Sequence, residues 1–208
     1  MGIPTTVSGT EGYAQEAPEL FKRYESIPAQ EAHRAVVHLF PPVPANVLDI
    51  GAGTGRDAAW FADMGHRVVA VEPTEAMRSG AMRLHPSPRI QWLDDSLPDL
   101  SLLRARGERF DLVMLTAVWM HLDASERAQA MPNVATLVAR PGRVIMTLRH
   151  GPVPAGRRMF EVTAGETVAL AAQEGLHLLL NLSLASSSPE NRAAGVTWTA
   201  LALARAAG

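Results

Sequence analysis

The sequence predicts an α/β fold in which a parallel sheet carries helices on both faces and ends in an antiparallel pair of strands. Three observations carry this expectation. Short apolar runs alternate with segments of helical periodicity from Asn46 onward. Runs such as Val68-Val-Ala-Val71 are apolar at every position, as strands buried on both faces require. Near the end of the chain the alternation stops, and two long apolar runs follow each other with no helix between them.

Residues 1–10 carry Gly, Pro, Ser and Thr without periodicity and read as a mobile tail. Tyr13, Ala17, Leu20, Phe21 and Tyr24 then fall on one helical face, and Ala32, Ala35, Val36 and Leu39 form a second stripe that Pro41, Pro42 and Pro44 end. Residues 11–44 are therefore expected to be helical. Strands are expected at Asn46–Ile50, Arg67–Val71, Arg89–Leu93, Phe110–Thr116 and Arg143–Leu148, the last after a Pro141-Gly142 turn. Between them Arg56–Met64 reads as a helix with Trp60, Phe61 and Met64 inward. Thr74–Leu84 is a helix with Thr74 as N-cap, and Ser125–Val138 is a helix interrupted at Pro132. A helix at Gly165–Glu174 precedes the paired strands Leu176–Ala185 and Val196–Ala204. The chain, 208 residues long, suits one domain, with its core at 45–208.

Composition narrows the chemistry. Absence of cysteine excludes disulfides, thiolate catalysis and thiolate metal sites, and fits a reducing, cytoplasmic setting. A formal net charge of −2 with no basic stripe argues against nucleic acid as partner. No apolar run reaches the ~20 residues of a membrane helix, and the first residues show no signal-peptide pattern. No His and carboxylate cluster stands at metal-ligand spacing, so no metal is expected.

The most informative segment is Val47-Leu-Asp-Ile-Gly-Ala-Gly-Thr-Gly55, where a strand turns into a helix. Glycines allow the tight turn and the close approach of a ligand to the main chain, and the helix beyond presents free N–H groups. Glu72 ends the next strand 21 residues after Gly51. An acid at this spacing suits the two ribose hydroxyls of an adenosine cofactor. A dinucleotide fingerprint would place its third glycine at position 56, where this chain has Arg56. The spacing therefore disfavours a ligand with a pyrophosphate.

These segments, with HRVVAVE (66–72), WLDDSLP (92–98), FDLVMLTAVWMHL (110–122) and PGRVIMTLR (141–149), resemble the class I S-adenosylmethionine (SAM) dependent methyltransferases, of a bacterial small-molecule type. The resemblance implies a Rossmann-like three-layer sandwich: a seven-stranded, mostly parallel sheet whose last strand is antiparallel, under an N-terminal helical cap. It implies SAM as cofactor and S-adenosylhomocysteine (SAH) as product. Carried over by residue, Asp49, Gly51, Ala52, Gly53 and Gly55 would surround the methionine part, and Glu72 with Pro73 the ribose. Asp94 or Asp95, with the Ser96 backbone N–H, would meet the adenine. Thr116 and Ala117 would line the sulfonium.

Methyl transfer is an in-line displacement, so the protein must align the acceptor, exclude water and, for a protonated acceptor, supply a base. The candidates lie at the carboxyl ends of the strands. His121 and His150 are the candidate catalytic bases, and Tyr13, Trp119, Arg149 and Arg157 the candidate acceptor contacts. The bland alternatives are a loop-holding role for His121, core packing for Tyr13 and Trp119, and solvated arginines. The stretch Thr116-Ala-Val-Trp119 lacks the Asp/Asn-Pro-Pro-Tyr/Phe of adenine-modifying enzymes, and no paired glutamates of protein arginine methyltransferases follow the fourth strand. What remains is a small-molecule acceptor methylated on O, N or S by a monomer or homodimer. Two competing readings are a SAM-binding regulatory protein without turnover and an adenosine-cofactor oxidoreductase on the same fold.

Overall fold

A computed structural model of the protein describes residues 7–207. Residues 1–6 of the expected tail lie outside the described residues. Residues 7–12 do not trail away: they form turns, and a Cβ on Gly9 would stand 3.2 Å from Cβ of His121.

Helix α1 (Tyr13–Glu25) has the expected apolar face, with Ala17 and Leu20 buried. The second expected stripe breaks into α2 (Ala29–Ala32) and a 3₁₀ turn at Val37–Leu39. The core then runs β1 (Asn46–Ile50), α3 (Arg56–Asp63), β2 (Arg67–Val71), α4 (Glu75–Leu84), β3 (Ile90–Leu93), α5 (Ser101–Ala105), β4 (Phe110–Leu115), α6 (Ala124–Leu137), β5 (Val138–His150), α7 (Ala164–Gln173), β6 (His177–Ala185), α8 (Pro189–Ala193) and β7 (Thr197–Arg205).

The seven strands form one sheet in the order β3-β2-β1-β4-β5-β7-β6, and β7 is antiparallel to both its neighbours, as the sequence predicts. The sheet has an apolar core on each face. One packs α5, α6 and α7 through Leu103, Met131, Val134 and Ala171. The other packs α3 and the N-terminal segment through Phe61, Val36 and Phe40. α1 rests on α4: Ala17 and Leu20 meet Met77, and Phe21 lies so close to Gly80 that an added Cβ would stand 2.5 Å from its ring.

Four details differ from expectation. Met64 is 40% exposed and Trp60 only half buried, so α3 turns mainly Ala58, Phe61 and Ala62 inward. α6 runs unbroken through Pro132. The missing hydrogen bond is offset by burial on both sides of it, at Met131, Val134 and Ala135. β5 continues through Pro141 and Gly142 where a turn is expected, with an irregular register against β4 between Phe110 and Leu112. Thr74 is the N-cap residue of α4, but its side chain makes no cap bond. Among the described residues no helix is long and apolar enough to cross a membrane.

Candidate functional site

The carboxyl ends of β1, β2 and β4 open into a cavity of about 700 Å³. Its floor is the glycine loop. The backbone N–H groups of Gly51 and Ala52 donate to the Val71 carbonyl at 2.8 and 3.0 Å, which ties the loop to the end of β2. Gly51 (φ +70°) has no room for a side chain, since a Cβ would stand 2.5 Å from Cγ2 of Val118. Gly53 (φ +57°) faces open space, where a Cβ would meet only the Gly51 carbonyl at 3.9 Å. Its missing side chain leaves that part of the cavity to a ligand.

Two acids flank this loop. Asp49 is 2% exposed on the cavity wall, and its Oδ2 has no partner. Burial, reinforced by the nearby Asp57 carboxylate, pushes its pKa well above the usual carboxylate range. Glu72 accepts the Gly53 N–H at 2.9 Å on Oε2 and the Thr74 N–H at 2.8 Å on Oε1. Burial raises its pKa, although those two N–H bonds oppose the rise. Each carboxylate oxygen keeps a further lone pair for a ligand hydroxyl.

Behind the loop lies a buried polar cluster that the sequence reading did not single out. Asp57 accepts from Arg56 Nε at 2.8 Å on Oδ1 and from the Thr116 hydroxyl at 3.0 Å on Oδ2, and Nε2 of His33 lies 2.7 Å from the same Oδ2. Burial pushes the Asp57 pKa up, but His33 and Arg56 outweigh it and hold the carboxyl well below its usual range. A signal for Asp57 was present, since an acid in the first turn of a helix favours the helix dipole. At the end of β4, Ala117 adopts φ +59°, a conformation uncommon for a side-chain-bearing residue, with its N–H donating to the Thr147 hydroxyl at 2.8 Å.

His121 closes the other side. Nδ1 lies 2.8 Å from the Arg158 carbonyl, which can only accept, so Nδ1 carries the hydrogen. The Tyr13 hydroxyl then donates to Nε2 at 3.1 Å. Burial, aided by the charges of Arg157 and Arg158, lowers the His121 pKa, and burial raises that of Tyr13. His121 is thus neutral at pH 7, with its free lone pair turned toward a tyrosine on the cavity wall.

Of the residues expected in a site, Asp49, Gly51, Ala52, Gly53, Glu72, Pro73, Asp95, Ser96, Thr116, Ala117, Tyr13 and His121 line this cavity. Others lie elsewhere. Gly55 turns backward, with a Cβ position only 2.8 Å from Cη2 of Trp92, so it serves the close packing of α3 on the sheet. Asp94 points out and pairs with Arg78 at 2.9 Å. Ser96 does not offer its N–H to the cavity but donates it to Oδ1 of Asp95 at 2.9 Å, while Oδ2 takes the Leu103 N–H at 2.8 Å. Trp119 is fully buried in the core beneath the site. His150 lies against the Thr199 hydroxyl at 2.8 Å, outside the cavity wall. Arg157 pairs with Glu16 at 2.7 Å and stacks 4.3 Å from the Tyr13 ring centroid, so it fixes α1 instead of meeting the cavity. Arg149 does not line the cavity; it stands opposite Trp198 in the β5–β7 ladder, with its Nη1 donating to the Pro152 carbonyl at 2.8 Å. The sequence reading missed His33, Tyr24, Thr147 and Trp198, all of which line the cavity.

The sequence profile of a methyltransferase domain matches residues 47–142, the stretch from the glycine loop to the middle of β5. Residues 47–142, a little under half of the chain, are thus similar to a methyltransferase domain. An uncharacterized methyltransferase of Bacillus pumilus is 26% identical over 136 residues, which are 64% of this chain and 57% of that relative. The chain thus spans little more than half the length of the curated relatives it matches. Among solved structures, the 1,6-didemethyltoxoflavin-N1-methyltransferase of Burkholderia thailandensis, with bound 1,6-didemethyltoxoflavin and S-adenosylhomocysteine, superimposes with a TM-score of 0.69. It is 20% identical, and the match covers 99% of this chain and 93% of that one. The N-methyltransferase NodS of Bradyrhizobium japonicum gives 0.70 at 16% identity, covering 92% of this chain and 97% of NodS. The [4+2]-cyclase SpnF gives 0.71 at 14% identity, with 100% and 99% covered. At these identities the likeness is one of fold, and the fold hosts more than one chemistry.

Proposed function

We propose that the protein transfers a methyl group from SAM to oxygen, nitrogen or sulfur of a small-molecule acceptor. The observation that carries this reading is the pair of buried acids on either side of the glycine loop, Asp49 with an unpartnered Oδ2 and Glu72 clamped to Gly53. An unpaired buried carboxylate is costly unless a cation or donor reaches it, and the ammonium group of SAM is such a partner.

When bound, SAM supplies a methyl group already activated by its sulfonium. Asp49 holds the ammonium, Gly53 leaves room for the methionine chain, and the free lone pairs of Glu72 take the ribose hydroxyls. Asp95 folds its own loop so that Ser96 and Leu97 wall the adenine. Thr116 and the strained Ala117 line the sulfonium side. Tyr13 and His121 close the cavity from water, and a protonated acceptor passes its proton through the Tyr13 hydroxyl to His121 Nε2. Residues 11–44 act as a cap on a single domain, and we place its work in the cytoplasm, as monomer or homodimer, without nucleic acid.

Calorimetric titration with SAM, SAH and NADH tests the cofactor reading. Saturable binding of SAM and SAH but not NADH supports it, and failure of both SAM and SAH to bind overturns it. Mass spectrometry over a metabolite collection then looks for the gain of one methyl, which a binding protein without turnover would not produce.

A further inference from the structure

The order of strands divides the cavity by charge. Asp49, Glu72 and Asp95 come from the ends of β1, β2 and β3, one half of the sheet. The other half ends in β5, β7 and β6, and there the charged residue of the cavity lining is an arginine. Arg192, on α8 between β6 and β7, lines the cavity, with Nη1 donating to the Ser186 and Ser187 carbonyls at 2.7 and 2.8 Å. Arg149, at the end of β5, stands directly opposite Trp198 in the β5–β7 ladder, so the two share one face. Trp198 and its β6 neighbour Leu184 line the cavity.

Neither arginine has a carboxylate partner among the described residues. Arg149 is half buried, its one hydrogen bond there goes to the Pro152 carbonyl, and burial lowers its pKa. Three arginines nearby are already neutralised, Arg56 by Asp57, Arg157 by Glu16, and Arg158 by Asp123 and Glu126, while Arg23, on the α1 side of the cavity, lies over the Tyr24 ring at 5.2 Å from its centroid. On the α2 segment above, exposed Glu31 and Arg34 offset each other in charge. A guanidinium has five donors and matches a carboxylate in two-pronged fashion, so a half-buried one without an anion is an incomplete pair.

Resting on the methyl-transfer reading above, we infer that the acceptor is a planar, anionic small molecule: an aromatic or heteroaromatic ring lying against Trp198 and Leu184, with its carboxylate held by Arg149 and Arg192. The acidic half of the cavity receives the cationic cofactor and the basic half the anionic acceptor, so each ligand is matched to its own wall and their opposite charges attract.

The test uses the full chain saturated with SAH, whose affinity is measured first by calorimetry. Hydroxybenzoates, hydroxycinnamates and pyridine carboxylates are titrated beside their methyl esters, with binding read by ligand-observed NMR. The expected result is that at least one acid binds about tenfold or more tightly than its ester. In Arg149→Gln and in Arg192→Gln that preference falls to within roughly threefold while SAH affinity is unchanged, which also shows that the variants fold. Equal binding of acids and esters, no binding of any acid by SAH-loaded protein, or an undiminished preference in both variants overturns the inference. Failure of the unaltered protein to bind SAH overturns the cofactor reading instead, and this one with it.

Discussion

Nε2 of His33 lies 2.7 Å from Oδ2 of Asp57, and this contact pins the N-terminal segment to the helix behind the glycine loop. The same carboxylate takes the Thr116 hydroxyl and Arg56. One buried anion therefore joins the N-terminal segment, the helix behind the glycine loop and the end of β4, three parts that would have to keep register for the proposed methyl donor and acceptor to meet in line.

Replacing His33 with Ala is expected to cost about 3 kcal/mol of stability, because breaking a buried pair leaves an incompletely compensated charge. Urea unfolding followed by circular dichroism measures it, and a loss under about 1 kcal/mol would mean that Arg56 and Thr116 suffice. The pH dependence follows from the depressed Asp57 pKa. Its stabilisation is fully present above the ordinary carboxylate pKa and is lost as pH falls through the lower folded value. Without His33 that depression shrinks, so acid unfolding begins at higher pH.

Asp49 has the opposite sign. Its folded pKa is raised by burial and by Asp57, so its ionisation opposes folding as pH rises from the ordinary carboxylate value through the folded one. Asp49→Asn removes that burden. The variant is expected to melt higher than the parent at pH 7 without ligand and to bind SAM at least about tenfold more weakly. Differential scanning fluorimetry with and without SAM checks both. A variant that melts higher and still binds SAM as well as the parent would remove Asp49 from the cofactor site.

Glu72→Gln is expected to weaken SAH binding by roughly tenfold to a hundredfold, since hydrogen bonds to a charged group contribute about 1.5–3 kcal/mol. A carboxylate accepts from both Gly53 and Thr74, whereas an amide must turn an NH₂ toward one of these donors. Calorimetry gives the affinity. An unchanged value would mean that the clamp on the loop and the contact with ribose do not depend on the charge.

The strands were legible because burial on both faces leaves an uninterrupted apolar run, and β7 lies antiparallel where the helical rhythm stops. α5 was not, because Ser-Leu-Leu-Arg-Ala is too short to show a period. The continuous α6 and the long β5 run through prolines that local rules treat as breaks, and only their packing shows why they persist. In the site, Gly51, Gly53 and Glu72 were readable from spacing along one strand–helix–strand unit. Arg157 was not, since its partner Glu16 is 141 residues away. Trp119 and Trp198 could not be told apart by type: one lies beneath the sheet's end and the other faces the cavity.

The contact between Tyr13 and His121 leads to a prediction about rate. With burial lowering its pKa, His121 stays neutral to a more acidic pH than an ordinary histidine, so turnover is expected to hold level through neutrality and fall only below that depressed value. Substituting Gln for His121 abolishes this acid limb and lowers kcat by about a hundredfold or more if its Nε2 receives the acceptor proton. Tyr13→Phe breaks the 3.1 Å contact through which that proton reaches the ring, yet leaves the imidazole in place. It should therefore lower kcat while keeping the acid limb. An acid limb that survives in His121→Gln would assign the proton to another group, and a Tyr13→Phe variant with full kcat would mean that the acceptor reaches His121 without a relay.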